Sequence, residues 1–248
     1  AMTMPARTRR TGRKAREPVT VSAIAERVGV RLSSVSDAMR KLGEQGLVEH
    51  SRYGAIALTS QGREHALAMV RRHRLIETFL VRDLGYGWEE VHDEAEQLEH
   101  AVSDLLVERL DAHLGRPSRD PHGDPIPAAD GSVDQPQAQL LSDLPAGTRV
   151  RVERISDADP RLLTFCAAQG IVVGAELEIR EGPEFSDALE VSLVGSSTAV
   201  PLGRSATEAI WALPSTGVEI SPSFSERAST AFSMPRLRAA GAAPEATL

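Results

Sequence analysis

The spacing of apolar residues changes period three times along the chain, and each change predicts a change of structure. In "TVSAIAERVGV", Ala23, Ile24 and Val28 form a helical stripe that opens at Thr20, a capping residue, and closes at Gly29. "RLSSVSDAMRKLGEQG" repeats the pattern with Val35, Met39 and Leu42 and stops at Gly46. "LVEHSRYGAIALTSQG" then alternates apolar and polar positions around "RYGA", as a short hairpin does. Two short helices followed by a two-stranded wing predict a winged helix-turn-helix over residues 19–66. Helical spacing returns in two long stretches, Ser60 to Asp83 and Trp88 to Leu114. Their apolar stripes are too long to be buried by their own length, which predicts a helical domain over 67–116 that packs against a second subunit. After residue 142, "TRVRVERI", "AELEIREG", "ALEVSLVG" and "STAVPL" alternate like strands of a small barrel over 143–221. A helix, "DPRLLTFCAAQG", interrupts them and is capped by Gly170. Residues 117–142, rich in proline and glycine and without period, read as a linker. Residues 1–18 read as a disordered basic arm and 222–248 as a flexible tail. The class is α+β.

Composition narrows the setting. The single cysteine, Cys166, excludes an intramolecular disulfide framework and fits a reducing compartment. No apolar run approaches the ~20 residues that span a membrane, and no secretory signal core is visible, so the expected location is cytoplasmic. The net charge of −7 hides an asymmetry: residues 1–60 hold eleven Lys/Arg against five Asp/Glu. A basic head on an acidic body points to a polyanion partner. Ser33, Ser34, Ser36, Asp37, Arg40 and Lys41 fall on the exposed side of the second helix. Arg31, Arg40, Lys41 and Arg52 suit phosphates, whereas Ser33, Ser34 and Asp37 suit base edges.

The densest chemistry lies in "EVHDEAEQLEHA", residues 90–101. On a helix, His92, Glu96, Glu99 and His100 fall within a strip about 100° wide. It borders the apolar strip of Val91, Ala95, Leu98, Val102, Leu105 and Leu106. The preceding helix carries "RRHRLIE", where His73 and Glu77 are four apart and share a face. A solvated acidic face is the plainer account of one such helix. Two neighbouring helices offering imidazole and carboxylate together, without thiolate, point instead to a divalent ion such as Mn²⁺, Fe²⁺ or Zn²⁺.

The run "MVRRHRLIETFL … GWEEVHDEAEQLEHAVSD … RDPHGDPIP" resembles the diphtheria-toxin-repressor and manganese-transport-regulator family of metal-dependent transcription factors. The resemblance covers about residues 20–215 and is most specific over 69–127. It implies a winged helix-turn-helix, a helical dimerisation domain and a C-terminal SH3-like, FeoA-like barrel. It also implies a homodimer on a palindromic operator, repressing metal-uptake genes when metal is plentiful. The family's ligands match His73, Glu77, His92, Glu96, Glu99 and His100. Iron-sensing members have cysteine where Glu96 stands and manganese-sensing members have carboxylate, so the resemblance favours Mn²⁺. An acid lent by the barrel matches Asp159 or Asp157. One departure stands out: the family's first helix supplies a further ligand, yet residues 1–16 contain no acid, leaving Glu17, Met2 or Met4.

Two other functions compete. "EQLEH" is similar to the inverted zinc-peptidase pattern, but Glu96 stands where a histidine ligand is required, and no paired Glu-x-x-His motifs suggest a di-iron oxidase. An enzyme is therefore not expected. The remaining alternatives are an interaction module with a structural metal and, within the family that the chain resembles, an iron-dependent rather than manganese-dependent repressor.

Overall fold

The computed structural model describes residues 19–50, 55–134 and 136–215. The N-terminal unit is built as the caps dictate. Helix α1 (Val21–Val28) starts where the Thr20 hydroxyl accepts from Ala23 N, and ends at Gly29 in the left-handed region. Helix α2 (Leu32–Glu44) follows and buries Val35. Strands β1 (Val48–His50) and β2 (Ile56–Leu58) pair antiparallel as the wing. The expected α1 stripe is half right: Ala25 and not Val28 is buried, and Val28, Val30 and Leu32 are exposed around the turn. With only two turns of helix, the buried face is set by where α2 crosses, not by the longest apolar run.

Helix α3 (Ser60–Leu84) runs without interruption for 25 residues, through the expected boundary at 66/67. Thr59 fastens its start to the wing, accepting from Gly62 N while its hydroxyl donates to Gly46 O at 2.7 Å. The second long helix is instead two, α4 (Val91–Glu99) and α5 (Asp104–His113). Ser103 accepts from Leu106 N and caps α5, so the phase of the apolar stripe resets. Val91 and Ala95 enter the core with Ile76, Leu80 and Leu110, while Leu105 is 62% exposed and Leu106 44%. No helix among the described residues is long and apolar enough to cross a membrane.

The C-terminal domain contains β3 (Gln139–Leu140), β4 (Arg149–Ile155), α6 (Pro160–Ala168), β5 (Glu176–Glu181), β6 (Leu189–Leu193), β7 (Val200–Leu202), α7 (Arg204–Thr207) and β8 (Ile210–Pro214). The strands form one antiparallel sheet ordered β3-β8-β4-β5-β6-β7. This corrects the expected barrel: the sheet is open, with its two shortest strands at the edges. Val150, Val152, Ile155, Leu163, Leu177, Ile179, Val191 and Ile210 fill its core, and Cys166 is buried among them.

The expected linker is also corrected. Residues 118–126 form a tight loop whose Asp120 Oδ1 accepts from His122 N and Asp124 N, both at 2.9 Å. Ile126 packs with Leu75 and Leu114, and the main-chain carbonyl of His122 accepts from Ile155 N at 2.9 Å. At Gly123 (φ 89°) a Cβ would stand 2.0 Å from Glu153 O, so only glycine lets the loop seat against β4. This loop joins the helical domain to the sheet.

Candidate metal centre and nucleic-acid interface

Helix α3 supplies His73 and Glu77, one turn apart, and α4 crosses them with His92 and Glu99. His73 Nε2 lies 3.0 Å from Glu77 Oε1 and 3.2 Å from His92 Nδ1. His92 Nδ1 is in turn 3.4 Å from Glu77 Oε1, closing a triangle of donors. Asp157, in the turn after β4, brings Oδ2 to 3.3 Å from His92 Nδ1. The expected Asp159 goes elsewhere. It caps α6, accepting from Arg161 N, and pairs with the Arg161 guanidinium at 2.9 Å. The side-chain hydrogen bond from Arg161 holds its carboxyl below the usual carboxylate range.

A second triangle shares Glu77 and was not foreseen. It consists of Glu77, Asp120 and His122, all buried. His122 Nε2 donates to the Trp88 carbonyl at 2.6 Å, and its ring stacks on the indole of Trp88. That bond fixes the proton on Nε2 and leaves the Nδ1 lone pair free. Nδ1 has no hydrogen-bond partner among the described residues and faces Glu77 Oε2 at 4.0 Å. A buried ring nitrogen without a hydrogen-bond partner, opposite a buried carboxylate, is an arrangement that a cation between them would satisfy. Arg74 braces the outer side, pairing with Asp120 at 3.3 Å and Asp124 at 3.0 Å. The only hint in the sequence was a histidine flanked by acids in "RDPHGDP", in a stretch without periodicity.

Electrostatics mark the same spot. Burial disfavours the charged form of His73, but hydrogen bonds and charge from Glu77 and then Glu99 outweigh it and lift its pKa to about 9. Burial, followed by the charges of Asp124 and Glu77, pushes Asp120 up to about 8, although Arg74 opposes the rise. An excess of carboxylate in a closed space binds protons when it has no metal.

The remaining expected ligands lie at the open end. Glu99 is mostly buried, with Oε2 at 2.7 Å from His73 Nδ1 and Oε1 at 3.5 Å from His100 Nε2. The His100 side chain is 70% exposed. Glu96 is exposed and has no hydrogen-bond or ion-pair partner among the described residues. The helix thus carries Glu96, Glu99 and His100 toward one side, but only Glu99 is drawn into the cluster. Glu17, Met2 and Met4 lie outside the described residues. Every donor named here is nitrogen or oxygen, and the one thiol, Cys166, is buried in the sheet core, where burial raises its pKa to about 11.

On the winged unit, Arg31 stands at the N-cap of α2 without a side-chain cap bond. Ser33, Ser34, Ser36, Asp37, Arg40 and Lys41 are all exposed along α2. The Ser36 hydroxyl donates back to Leu32 O, and Arg40 pairs with Glu44 at 2.7 Å. Ser33, Ser34, Asp37 and Lys41 are exposed and have no side-chain partner among the described residues. Arg52 lies outside the described residues.

Comparison with known proteins agrees with this division. Residues 11–56 match the iron-dependent repressor N-terminal DNA-binding domain, 59–128 the iron-dependent repressor metal-binding and dimerisation domain, and 139–213 the FeoA domain. The iron-dependent repressor IdeR of Mycobacterium leprae is 34% identical over 173 residues, covering 64% of this chain and 75% of that protein. The diphtheria toxin repressor of Corynebacterium efficiens is 35% identical over 166 residues, covering 63% and 72%. A manganese-dependent transcriptional repressor solved in complex with manganese is 51% identical. Its TM-score is 0.75, covering 81% of this chain and 92% of that one.

Proposed function

The chain belongs to the diphtheria-toxin-repressor family of metal-dependent, DNA-binding transcriptional repressors, and from that premise we propose that its activating ion is manganese. The observation that carries this reading is the donor set. Imidazole nitrogens and carboxylate oxygens suit a hard-to-borderline ion, and no thiolate is near to favour a softer one. His73, Glu77 and His92, with Asp157 beside them, would hold one ion. Glu96, Glu99 and His100 would hold another at the open end. Asp120 and His122 extend the first group on the far oxygen of Glu77.

Bound metal supplies positive charge that neutralises these carboxylates and ties α3 to α4. Helix α3 begins next to the wing at Ser60 and reaches His73 thirteen residues later, so fixing α3 would fix the orientation of the winged unit. Leu105 and Leu106 leave an apolar face for a second copy, consistent with the dimerisation domain that these residues match. Two winged units related by a two-fold axis suit a palindromic operator. Arg31, Arg40 and Lys41 would contact phosphates, Ser33, Ser34 and Asp37 base edges, and the genes controlled would be those of metal uptake. Metal promotes DNA binding only as far as it binds the DNA-competent arrangement more tightly.

The test is operator affinity, by fluorescence anisotropy with Mn²⁺, Fe²⁺, Zn²⁺ or no metal, for wild type and Glu96→Cys. Wild type should respond best to Mn²⁺, and the thiolate variant should shift the ranking toward Fe²⁺ or Zn²⁺. A ranking that is the same in both proteins, or headed by Fe²⁺ in wild type, would reject manganese selectivity.

A further inference from the structure

A recess of about 400 Å³ lies where α3, the segment from residue 119 to 138 and the C-terminal sheet meet. Leu67 and Val70 of α3, Pro125, Val133 and the indole of Trp211 line much of it with carbon. Three guanidiniums border it, those of Arg74, Arg119 and Arg154. Arg74 is engaged by two carboxylates, with Nε 3.3 Å from Asp120 and Nη2 3.0 Å from Asp124. Arg154 donates from Nε to the other oxygen of Asp124 at 2.8 Å, and its Cζ lies 4.0 Å from the centre of the Trp211 ring. Arg119 donates to the Gly123 main-chain carbonyl at 2.9 Å and has no carboxylate partner among the described residues. Two acids therefore face three cations, and at least one positive charge is left over. This surplus runs against its surroundings, because residues 61–248 hold thirty Asp/Glu against seventeen Lys/Arg.

We propose that this recess is a binding site for a small organic carboxylate with an apolar body. A cation partly withdrawn from water gains from a counter-ion, and the planar guanidinium of Arg119 matches a carboxylate through paired N–H groups. The carbon-lined walls have no use for a bare inorganic anion, whereas a flat or branched hydrocarbon would cover them. The volume suits a small molecule, and the mixture of apolar wall with a few convergent polar groups is what such sites are made of. The occupant would touch α3, the 118–126 loop and the sheet at once, and so would fasten the helical domain to the C-terminal domain. The inference does not depend on which ion the metal centre holds.

The experiment is titration of benzoate into the metal-free full chain at pH 7, followed by NMR at the indole N–H signals of the two tryptophans, Trp88 and Trp211. Metal is left out so that no bound ion can take up the carboxylate, and the spectrum of Trp211→Phe assigns the two signals. Benzoate should shift the Trp211 signal saturably and leave that of Trp88 in place. Benzamide keeps the ring without the charge, and acetate keeps the charge without the ring. Each should bind at least about tenfold more weakly than benzoate, and Arg119→Gln should weaken benzoate by a similar factor. Because Arg119 also holds the Gly123 carbonyl, a second pair of variants leaves the loop untouched. Val70 sits on the partly exposed face of α3, and Val70→Glu should bind benzoate several-fold more weakly than its uncharged isostere Val70→Gln. The site is overturned by the absence of a saturable shift, by a shift at Trp88 in place of Trp211, or by equal affinity for benzoate and either analogue. Equal benzoate affinity in Val70→Glu and Val70→Gln, or in Arg119→Gln and wild type, overturns it as well.

Discussion

The two ends of the candidate metal centre are built in opposite ways. At the inner end, Glu77 and His122 are each 1% exposed, and Trp88, Arg74 and the 118–126 loop hold the donors in place. At the outer end, Glu96 and His100 project into solvent and only Glu99 is anchored, by His73 and Arg72. The inner end is organised before any ion arrives and suffers from its own charge. The outer end has little charge crowding to relieve and, as the proposed site, would be gathered only when an ion binds. A preformed site tends to set affinity, whereas a gathered site couples binding to a change of shape.

The largest effect is expected from removing the residue the inner end is built around. Glu77→Gln should weaken Mn²⁺ binding at the inner end by at least 100-fold, because both triangles lose a charged oxygen. Stoichiometry after equilibrium dialysis, read by elemental analysis, should fall, and unchanged stoichiometry would show that the inner end is not a metal site.

The pH dependence of the metal-free protein comes next. His73 is held at about 9 against an ordinary 6.5, so its contribution to stability is fully present below 6.5 and is lost as pH rises through 9. Asp120 is held at about 8 against 3.8, so the unfolded chain ionises first and stability falls between about pH 4 and 8. Both act in one direction. With metal chelated, the melting temperature should drop between pH 6.5 and 9. With Mn²⁺ it should not, because binding displaces those protons and strengthens as pH rises. A metal-free melting temperature that is flat over this window would contradict the crowded inner end.

Glu96→Ala probes the outer end. Its stability should change by less than about 0.5 kcal/mol, as for an exposed side chain without partners. Its metal-activated operator binding should nevertheless be lost. Retained activation would leave Glu96 an ordinary surface glutamate. The smallest contrast concerns two neighbours in one turn: Asp157→Ala should weaken Mn²⁺ binding several-fold, while Asp159→Ala should leave it unchanged and cost about 1 kcal/mol as a lost cap. The reverse order in a calorimetric titration would restore Asp159 as the donor.

What was legible in the sequence was local. His73 and Glu77 share a face because they are four apart, and the same geometry aligns His92, Glu96, Glu99 and His100. Thr20 and Gly29 announced the bounds of α1 through their caps. The break at Ser103 was hidden because Val102, Leu105 and Leu106 continue an apolar pattern across it. Strand β8 was missed because Ala212 and Pro214 are poor strand formers, and only its place between β3 and β4 makes Ile210–Pro214 a strand. His122 and Asp120 could not be foreseen from spacing, since they meet Glu77 across more than forty residues and lie in a stretch with no period. Spacing offered Asp159 and Asp157 alike; it showed that Asp159 could equally be a plain N-cap, but not which acid faces His92.

Gly62 deserves a mechanical reading. A Cβ there would stand 1.9 Å from the Leu47 carbonyl, so the start of α3 touches the residue before β1 backbone to backbone. The winged unit is then carried on the end of a stiff rod, anchored at His73 roughly 20 Å away. A tilt of about 5° at the anchor would sweep the recognition surface by about 2 Å, comparable to the difference between a hydrogen bond made and one missed. On the proposed reading, the centre would not have to deform anything to be felt at the operator; it would only have to stop the rod from swinging.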